Sequence, residues 1–184
     1  MKFNNSQIRV TAILPTFNRI RLLKECIEML LNQTFPLEEI IVINNNSNDG
    51  TREYLDKLQE KESKKISVIH EPINLGGAGG FARGIEKVKQ KDNIDFVLIL
   101  DDDAILSENY LEILLQNSAS SPALCGIVLN EDKSIQVEHR GSFNHSSFNL
   151  KLHEPISYEF EQSKEIEFCS FVGMLLSHDL ILSM

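Results

Sequence analysis

Phe96-Val97-Leu98-Ile99-Leu100 runs directly into Asp101-Asp102-Asp103. A short, unbroken apolar run bounded by polar residues reads as a strand buried on both faces, the pattern of a parallel sheet covered by helices. Three adjacent carboxylates repel one another, so a cation or strong hydrogen-bond donors belong nearby. A solvated acidic turn is the plainer reading. What favours a site is position, because ligands of open α/β sheets bind beyond the carboxyl ends of the strands.

Working back from that strand, the same grammar repeats. Ile8 to Leu14 is rich in β-branched residues and predicts a first strand, ended by Pro15, which cannot donate to a sheet ladder. Thr16-Phe17-Asn18-Arg19 follows as a loop with Asn18 as helix cap, and Leu23, Cys26, Ile27, Leu30 and Leu31 form one helical stripe. Ile40 to Ile43 predicts strand two, running into Asn44-Asn45-Asn46-Ser47-Asn48-Asp49-Gly50-Thr51, dominated by turn formers and caps. A helix from Thr51 turns Tyr54, Leu55 and Leu58 inward, and Ile66 to His70 is strand three. Asn74-Leu75-Gly76-Gly77-Ala78-Gly79-Gly80 then opens a helix with Phe81, Ile85 and Val88 on one face. Strand and helix alternate three times before the strand at Phe96, which predicts an α/β chain with a mainly parallel, doubly wound sheet.

Forward of the acids the pattern loosens. Ser107 is expected to cap a helix bearing Leu111, Leu114 and Leu115, and Ala123 to Leu129 reads as a strand. Ser134 to Leu152 reads as hairpins or loop, and Phe168 to Leu176 as a last strand containing Gly173. The chain stops inside a beginning apolar element at Asp179 to Met184, which predicts a fragment of a longer protein.

At 184 residues, with 42% hydrophobic and 24% charged residues, the chain fits one globular domain. A net charge of −9 excludes a surface built to neutralise nucleic-acid phosphates, though not a pocket for one nucleotide. Cys26, Cys125 and Cys169 stand far apart in apolar settings, which suits reduced thiols in the cytoplasm. Residues Met1 to Ser6 hold no signal-peptide core, and no apolar run reaches the roughly 18 residues of a transmembrane helix.

In a parallel sheet the loops after strands one, two and three and the acids after strand four converge on one edge. Glycines let backbone N–H groups approach a ligand, and the helix start favours an anion; tight helix–sheet packing explains the same glycines. The dinucleotide fingerprint fails where Ala82 stands for its third glycine, and no Gly-Lys-Ser/Thr makes a P-loop. Arg83 either meets a phosphate or base or stays a surface residue. The Asn44-to-Asp49 loop reads a base edge, caps a helix, or does both. Paired carboxylates suit Mg²⁺ or Mn²⁺ bridging to diphosphate oxygens. His70, His139, His145, His153 and His178 show no metal-ligand spacing, and no Ser-His-Asp or Cys-His set is visible.

With those residues in place, the sequence resembles the family 2 glycosyltransferases of the GT-A fold. The matching pieces are Leu14-Pro15-Thr16-Phe17-Asn18-Arg19, Asn45-x-Ser47-x-Asp49-Gly50-Thr51, Asn74 to Gly80, and Asp101-Asp102-Asp103, in order over residues 8 to about 180. The glycine segment and triple Asp look like the galactofuranosyl- and rhamnosyltransferase branch. The resemblance implies that Pro15, Thr16 and Asn18 frame a nucleoside. It places Asn44 where the family has a base-reading aspartate, and Arg83 near the nucleotide. Asn45, Gly76, Gly77 and Asp102 complete the candidate nucleotide-sugar-binding set. Asp101 and Asp103 match the D-x-D pair, Asp103 as the direct ligand of Mn²⁺ or Mg²⁺ and Asp101 as a metal, ribose or outer contact.

Residues 8–103 are then a nucleotide-binding half and 104–184 the start of an acceptor-side half of one catalytic domain. The implied activity is inverting, metal-dependent transfer from a UDP- or dTDP-sugar to a glycan or lipid-linked acceptor, in the cytoplasm or peripheral to a membrane. The implied general base is an acid beyond Met184. A nucleotidyltransferase and a non-catalytic nucleotide-sugar-binding module remain as alternatives.

Overall fold

The computed structural model describes residues 8–147, 149–152 and 163–184; Met1 to Ser6 and His153 lie outside the described residues. Six strands form the main sheet: β1 (Val10–Thr16), β2 (Glu39–Asn44), β3 (Ile66–His70), β4 (Phe96–Leu100), β5 (Ala123–Cys125) and β8 (Val172–Ser177). Their order is β3-β2-β1-β4-β8-β5, with β1 to β4 mutually parallel and β8 antiparallel to both neighbours. A second, three-stranded sheet centres on β6 (Arg140–Asn144), with β7 (Asn149–Leu152) on one side and the two-residue strand Phe168–Cys169 on the other.

Alternation along the central strands splits the core in two. Ala12, Leu14, Val42, Leu98 and Leu100 face α1 (Ile20–Leu31), α2 (Thr51–Lys61) and α4 (Tyr110–Gln116). Ile13, Ile41, Ile43, Val97 and Ile99 face α3 (Gly76–Lys89) and α5 (His178–Ser183). Both faces are therefore covered, which is why β4 is apolar at every position and β1 and β2 carry apolar residues on both faces. Each fully buried Ile or Leu contributes about 1.5–3 kcal/mol of hydrophobic stabilisation.

Several boundaries move from their sequence expectations. Pro15 does not end β1; it pairs with Ile43 inside it. The carbonyls of Val10 and Thr16 bond toward β2 and that of Arg9 toward β4, so the nitrogen of Pro15 faces β4. Pairing with β4 has already ended at Ile13↔Ile99, so no ladder bond is lost. Asn18 is not the cap of α1. It sits at φ 52, and the Ile20 N–H is taken by the Asp49 carboxylate from the next loop. Ser107 does not cap α4 through its side chain; Gln33 reaches over and accepts from Leu111 N–H instead.

The expected strand Ala123 to Leu129 stops at Cys125, because the Gly126 carbonyl turns to Arg140 and its N–H to the Tyr110 hydroxyl. The expected strand Phe168 to Leu176 is two strands in two sheets. Its break lies at Ser170 and Phe171, and inside β8 Gly173, at φ +75, sits where the β4–β8 register shifts by a bulge.

Candidate functional site

The strand order reverses beside β1, with β2 on one side and β4 on the other. This is the switch point at which a crevice opens above the carboxyl ends of a doubly wound sheet. Thr16, the last residue of β1, donates its hydroxyl to Asp102 Oδ2 across that point at 2.6 Å, in a buried bond. Arg19, at the start of α1, reaches the same cluster. Its Nη1 lies 3.2 Å from Asp102 Oδ1 and 2.7 Å from Asp103 Oδ2.

The three acids are thus unequal. Asp102 is buried and engaged at both oxygens; burial pushes its carboxyl up, against the Thr16 hydrogen bond and the Arg19 charge. Asp103 is half exposed and shares Arg19. Asp101 has no hydrogen bond to its carboxylate among the described residues. Burial, then the charges of Asp103 and Asp102, push it up, opposed by Arg19 and His139. Reciprocally, Asp102 and then Asp103 raise the Arg19 guanidinium.

Arg19 was not among the residues chosen from the sequence for this site. Its signal was there, since three adjacent acids require a cation; only the fold shows that the arginine 83 or 84 positions away supplies it.

The loops after β1 and β2 are bound together. Asn18 N–H donates to Ser47 Oγ at 3.0 Å, and Asn18 Oδ1 accepts from Asn48 N–H at 2.8 Å. Asp49 fastens two helix starts, accepting from Ile20 N–H with one oxygen and from Thr51 N–H and Oγ1 with the other. Burial works to raise its carboxyl, but the hydrogen bonds from Thr51 and Ile20 outweigh it and hold it below the usual carboxylate range.

Asn44 is wholly buried. Its Oδ1 accepts from Ser47 N–H at 3.0 Å, and its Nδ2 lies 3.0 Å from His70 Nδ1. His70 in turn meets Asp56 at 2.9 Å, so the amide is fixed by the protein itself. Asn45 donates to the Gly76 carbonyl at 3.2 Å and leaves a buried Oδ1 without a partner among the described residues.

The glycine segment is the first turn and body of α3, and its glycines divide by use. A Cβ on Gly80 would lie 2.8 Å from Pro15 Cβ, and one on Gly84 2.3 Å from Ile13 Cγ2. These two serve close helix–sheet packing. Gly76, at φ +70, and Gly77 have open space where a Cβ would be. Arg83, further along α3, pairs with Glu71 at 2.9 Å and with Glu86 at 2.9 Å. It lies apart from the cluster that joins Thr16, Arg19 and the acids.

The donor set fits a hard divalent cation. Asp101 and Asp103 offer carboxylate oxygens, one of them without protein donors. No group of three or more metal-ligating side chains occurs among the described residues. Mg²⁺-type ions are commonly held by one or two carboxylates plus substrate phosphates and water, which is what two acids at an open edge provide.

Comparison with known proteins bears on the whole arrangement. The family model described as Glycosyl transferase family 2 matches residues 11–181. Glycosyltransferase GlyG of Streptococcus pneumoniae is 29% identical over 127 residues, which is 68% of this chain and 40% of the relative. The GalNAc(5)-diNAcBac-PP-undecaprenol beta-1,3-glucosyltransferase of Campylobacter jejuni is 32% identical over 110 residues, 60% of this chain and 34% of the relative. Among solved structures, mannosyltransferase PcManGT from Pyrobaculum calidifontis, in complex with GDP-Man and Mn²⁺, superposes with a TM-score of 0.57. It is 24% identical, covering 66% of this chain and 36% of that one. GalNAc-T7 with UDP, GalNAc and Mn²⁺ gives a TM-score of 0.67 at 14% identity, over 96% of this chain and 36% of that one. The chain spans well under half the length of these proteins.

Proposed function

The chain belongs to glycosyl transferase family 2 and has the GT-A fold, and from that premise we propose that it forms the donor-binding part of an inverting glycosyltransferase. The observation that carries this reading is the acid cluster at the β1/β4 switch point, with Thr16 and Arg19 positioning Asp102 and Asp103 while Asp101 stays without a donor. The donor is a UDP- or dTDP-sugar and the acceptor a glycan or a lipid-linked glycan. Residues 8–103 form the nucleotide-binding half.

Asp103 and Asp101 would hold Mn²⁺ or Mg²⁺, which would supply positive charge to offset the diphosphate and ease departure of the nucleotide. Arg19 adds a fixed positive charge beside the same oxygens. Gly76 and Gly77 present open backbone at the start of α3, where an anion is favoured. Pro15, Thr16 and Asn18 border the nucleoside. Asn44 and Asn45 shape its pocket from beneath, Asn44 through the backbone that its amide holds. Arg83 acts at the periphery, through its pairs with Glu71 and Glu86. Free thiols at all three cysteines suit a cytoplasmic setting. No helix among the described residues is long and apolar enough to cross a membrane.

Titration calorimetry of the chain with UDP, dTDP and GDP, each with and without Mn²⁺, tests the proposal. Metal-dependent binding of UDP or dTDP is expected, weakened at least about tenfold by Asp103→Ala. Absence of binding in excess metal would overturn the donor reading. Preference for GDP would overturn only the choice of base.

A further inference from the structure

An asparagine amide can face either way round, and at Asn44 the neighbours allow only one. Its Oδ1 lies 3.0 Å from the Ser47 backbone nitrogen, a group that can only donate, so the amide oxygen faces the loop. The Nδ2 group, which also can only donate, then stands 3.0 Å from His70 Nδ1, so that ring nitrogen offers a lone pair. The proton of the neutral ring is left on Nε2, 2.9 Å from the Asp56 carboxylate, an acceptor. Each bond thus fixes the direction of the next.

This relay starts on α2 at Asp56, passes through the last residue of β3, His70, to the last residue of β2, Asn44, with which it is in register, and ends on the loop after β2. Ser47 carries it one step further. Its Oγ accepts from Asn18 N–H at 3.0 Å, and Asn18 Oδ1 accepts from Asn48 N–H at 2.8 Å, which clasps the loops after β1 and β2 together. Asn18 and Asn46 sit at φ 52 and φ 61, left-handed conformations that cost energy away from glycine and depend on such bonds to persist. Asn44 is wholly buried, so water cannot replace a partner that its amide loses.

We propose that His70 is a positioning residue for the nucleoside-binding loops, acting through Asn44 as the neutral tautomer with its proton on Nε2. The role rests on the reading that Pro15, Thr16, Asn18, Asn44 and Asn45 border the nucleoside. His70 acts without touching the nucleotide: its Nδ1 lone pair turns the Asn44 amide, Asn44 holds Ser47, and Ser47 holds Asn18. Asparagine and the neutral ring are a matched pair. An aspartate at position 44 would set an acceptor against Nδ1 and would require a proton on both ring nitrogens.

Substitutions at position 70 separate the two ring nitrogens. In His70→Asn the short amide sets its oxygen where Nδ1 stands, which keeps Asn44 turned and gives up Asp56. In His70→Gln the longer amide reaches toward Asp56 and leaves Asn44 Nδ2 buried without an acceptor. In His70→Leu both bonds are lost. A histidine that served only to tie β3 to α2 would be replaced better by glutamine than by asparagine; the positioning role predicts the reverse.

Two readouts need no nucleotide. Nitrogen-15 NMR of the unmodified chain at neutral pH should find the His70 ring protonated at Nε2 and bare at Nδ1; the opposite tautomer or a doubly protonated ring overturns the proposal. Hydrogen exchange at Ser47 N–H should quicken at least about tenfold in His70→Gln and His70→Leu and stay within about threefold of wild type in His70→Asn. Calorimetry with UDP or dTDP and Mn²⁺ should give the same order, with binding at least about tenfold weaker in the glutamine and leucine variants. Equal exchange in all four proteins, or glutamine outperforming asparagine, overturns the proposal. So does exchange in the expected order with nucleotide affinity unchanged throughout. The asparagine and glutamine variants carry the comparison if the leucine variant does not fold. Absence of nucleotide binding by wild type overturns the donor reading alone, because the tautomer and the Ser47 exchange still decide whether His70 sets the loop.

Discussion

At the amino-terminal edge of the main sheet opposite charges meet, and at the carboxyl-terminal edge like charges collect. The amino-terminal edge has a cavity of about 410 Å³ whose lining includes Arg9, Glu38, Glu39, Lys64, Lys91 and Asp92. There Lys91 pairs with Glu39, Ser67 donates to the same carboxylate, and Asp95 takes the Arg9 N–H. Its lining holds three cations and three carboxylates, so formal charge balances there. The carboxyl-terminal edge has three acids and one guanidinium, and Asp101 is left without a partner among the described residues. That cavity is thus balanced in charge, while Asp101 at the opposite edge keeps a carboxylate without a donor among the described residues. Cavity volume and unmatched charge single out opposite ends of the sheet, and the donor-binding proposal rests on the unmatched charge.

Substitutions along α3 test where the open edge begins. Gly84→Val drives side-chain carbons into Ile13 and Ile43 and should cost about 3 kcal/mol in urea unfolding. Gly77→Ala, in open space on the same helix, should be neutral or stabilising by up to about 1 kcal/mol while weakening nucleotide binding. Equal destabilisation by both would show that the whole glycine segment is packing.

A smaller effect is expected at Arg19. Arg19→Gln leaves the buried Asp102 with Thr16 as its one side-chain donor, and should lower stability by about 1–2 kcal/mol, discounted because the arginine is half exposed. Unchanged stability would remove Arg19 as the matching charge of the edge.

The smallest effects should have opposite signs at the two edges. Lys91→Met unpairs Glu39 and should cost about 0.5–1 kcal/mol. Asp101→Asn removes a repelled charge and should raise the melting temperature slightly at neutral pH. The Asp101 and Asp102 carboxyls are raised in the folded state. Their stabilising contribution is therefore complete below the unfolded value near 4 and is lost as pH rises through the folded value. Asp101→Asn should make that loss shallower, matching wild type in acid and exceeding it above the window. Thermal melts across about pH 3 to 8 would show it, and a lower melting temperature at neutral pH would contradict the unmatched charge.

How much of this was legible in the chain depended on the range of the interaction. β1 to β4 and α1 to α3 were readable because period and apolarity are local properties: Ile66 to His70 and Phe96 to Leu100 stand where the pattern put them. Convergence of the loops on one edge followed from alternation alone. Caps were misread wherever the partner came from another element, as with Asp49 for α1 and Gln33 for α4. Phe168 to Leu176 looked like one strand because all of it is apolar-rich; the division comes at Ser170, whose N–H bonds to His139, and Phe171, whose carbonyl accepts from Asp101.

By itself the sequence determined the alternating order of strands and helices, the burial of both sheet faces, and which four segments would gather at one edge. These rest on neighbours a few residues apart. Tertiary structure decided the rest. Arg19 faces Asp102 and Asp103, and Asn44 is spent on Ser47 and His70. Charges and hydrogen-bonding groups act over a few ångströms through space, whatever their separation along the chain.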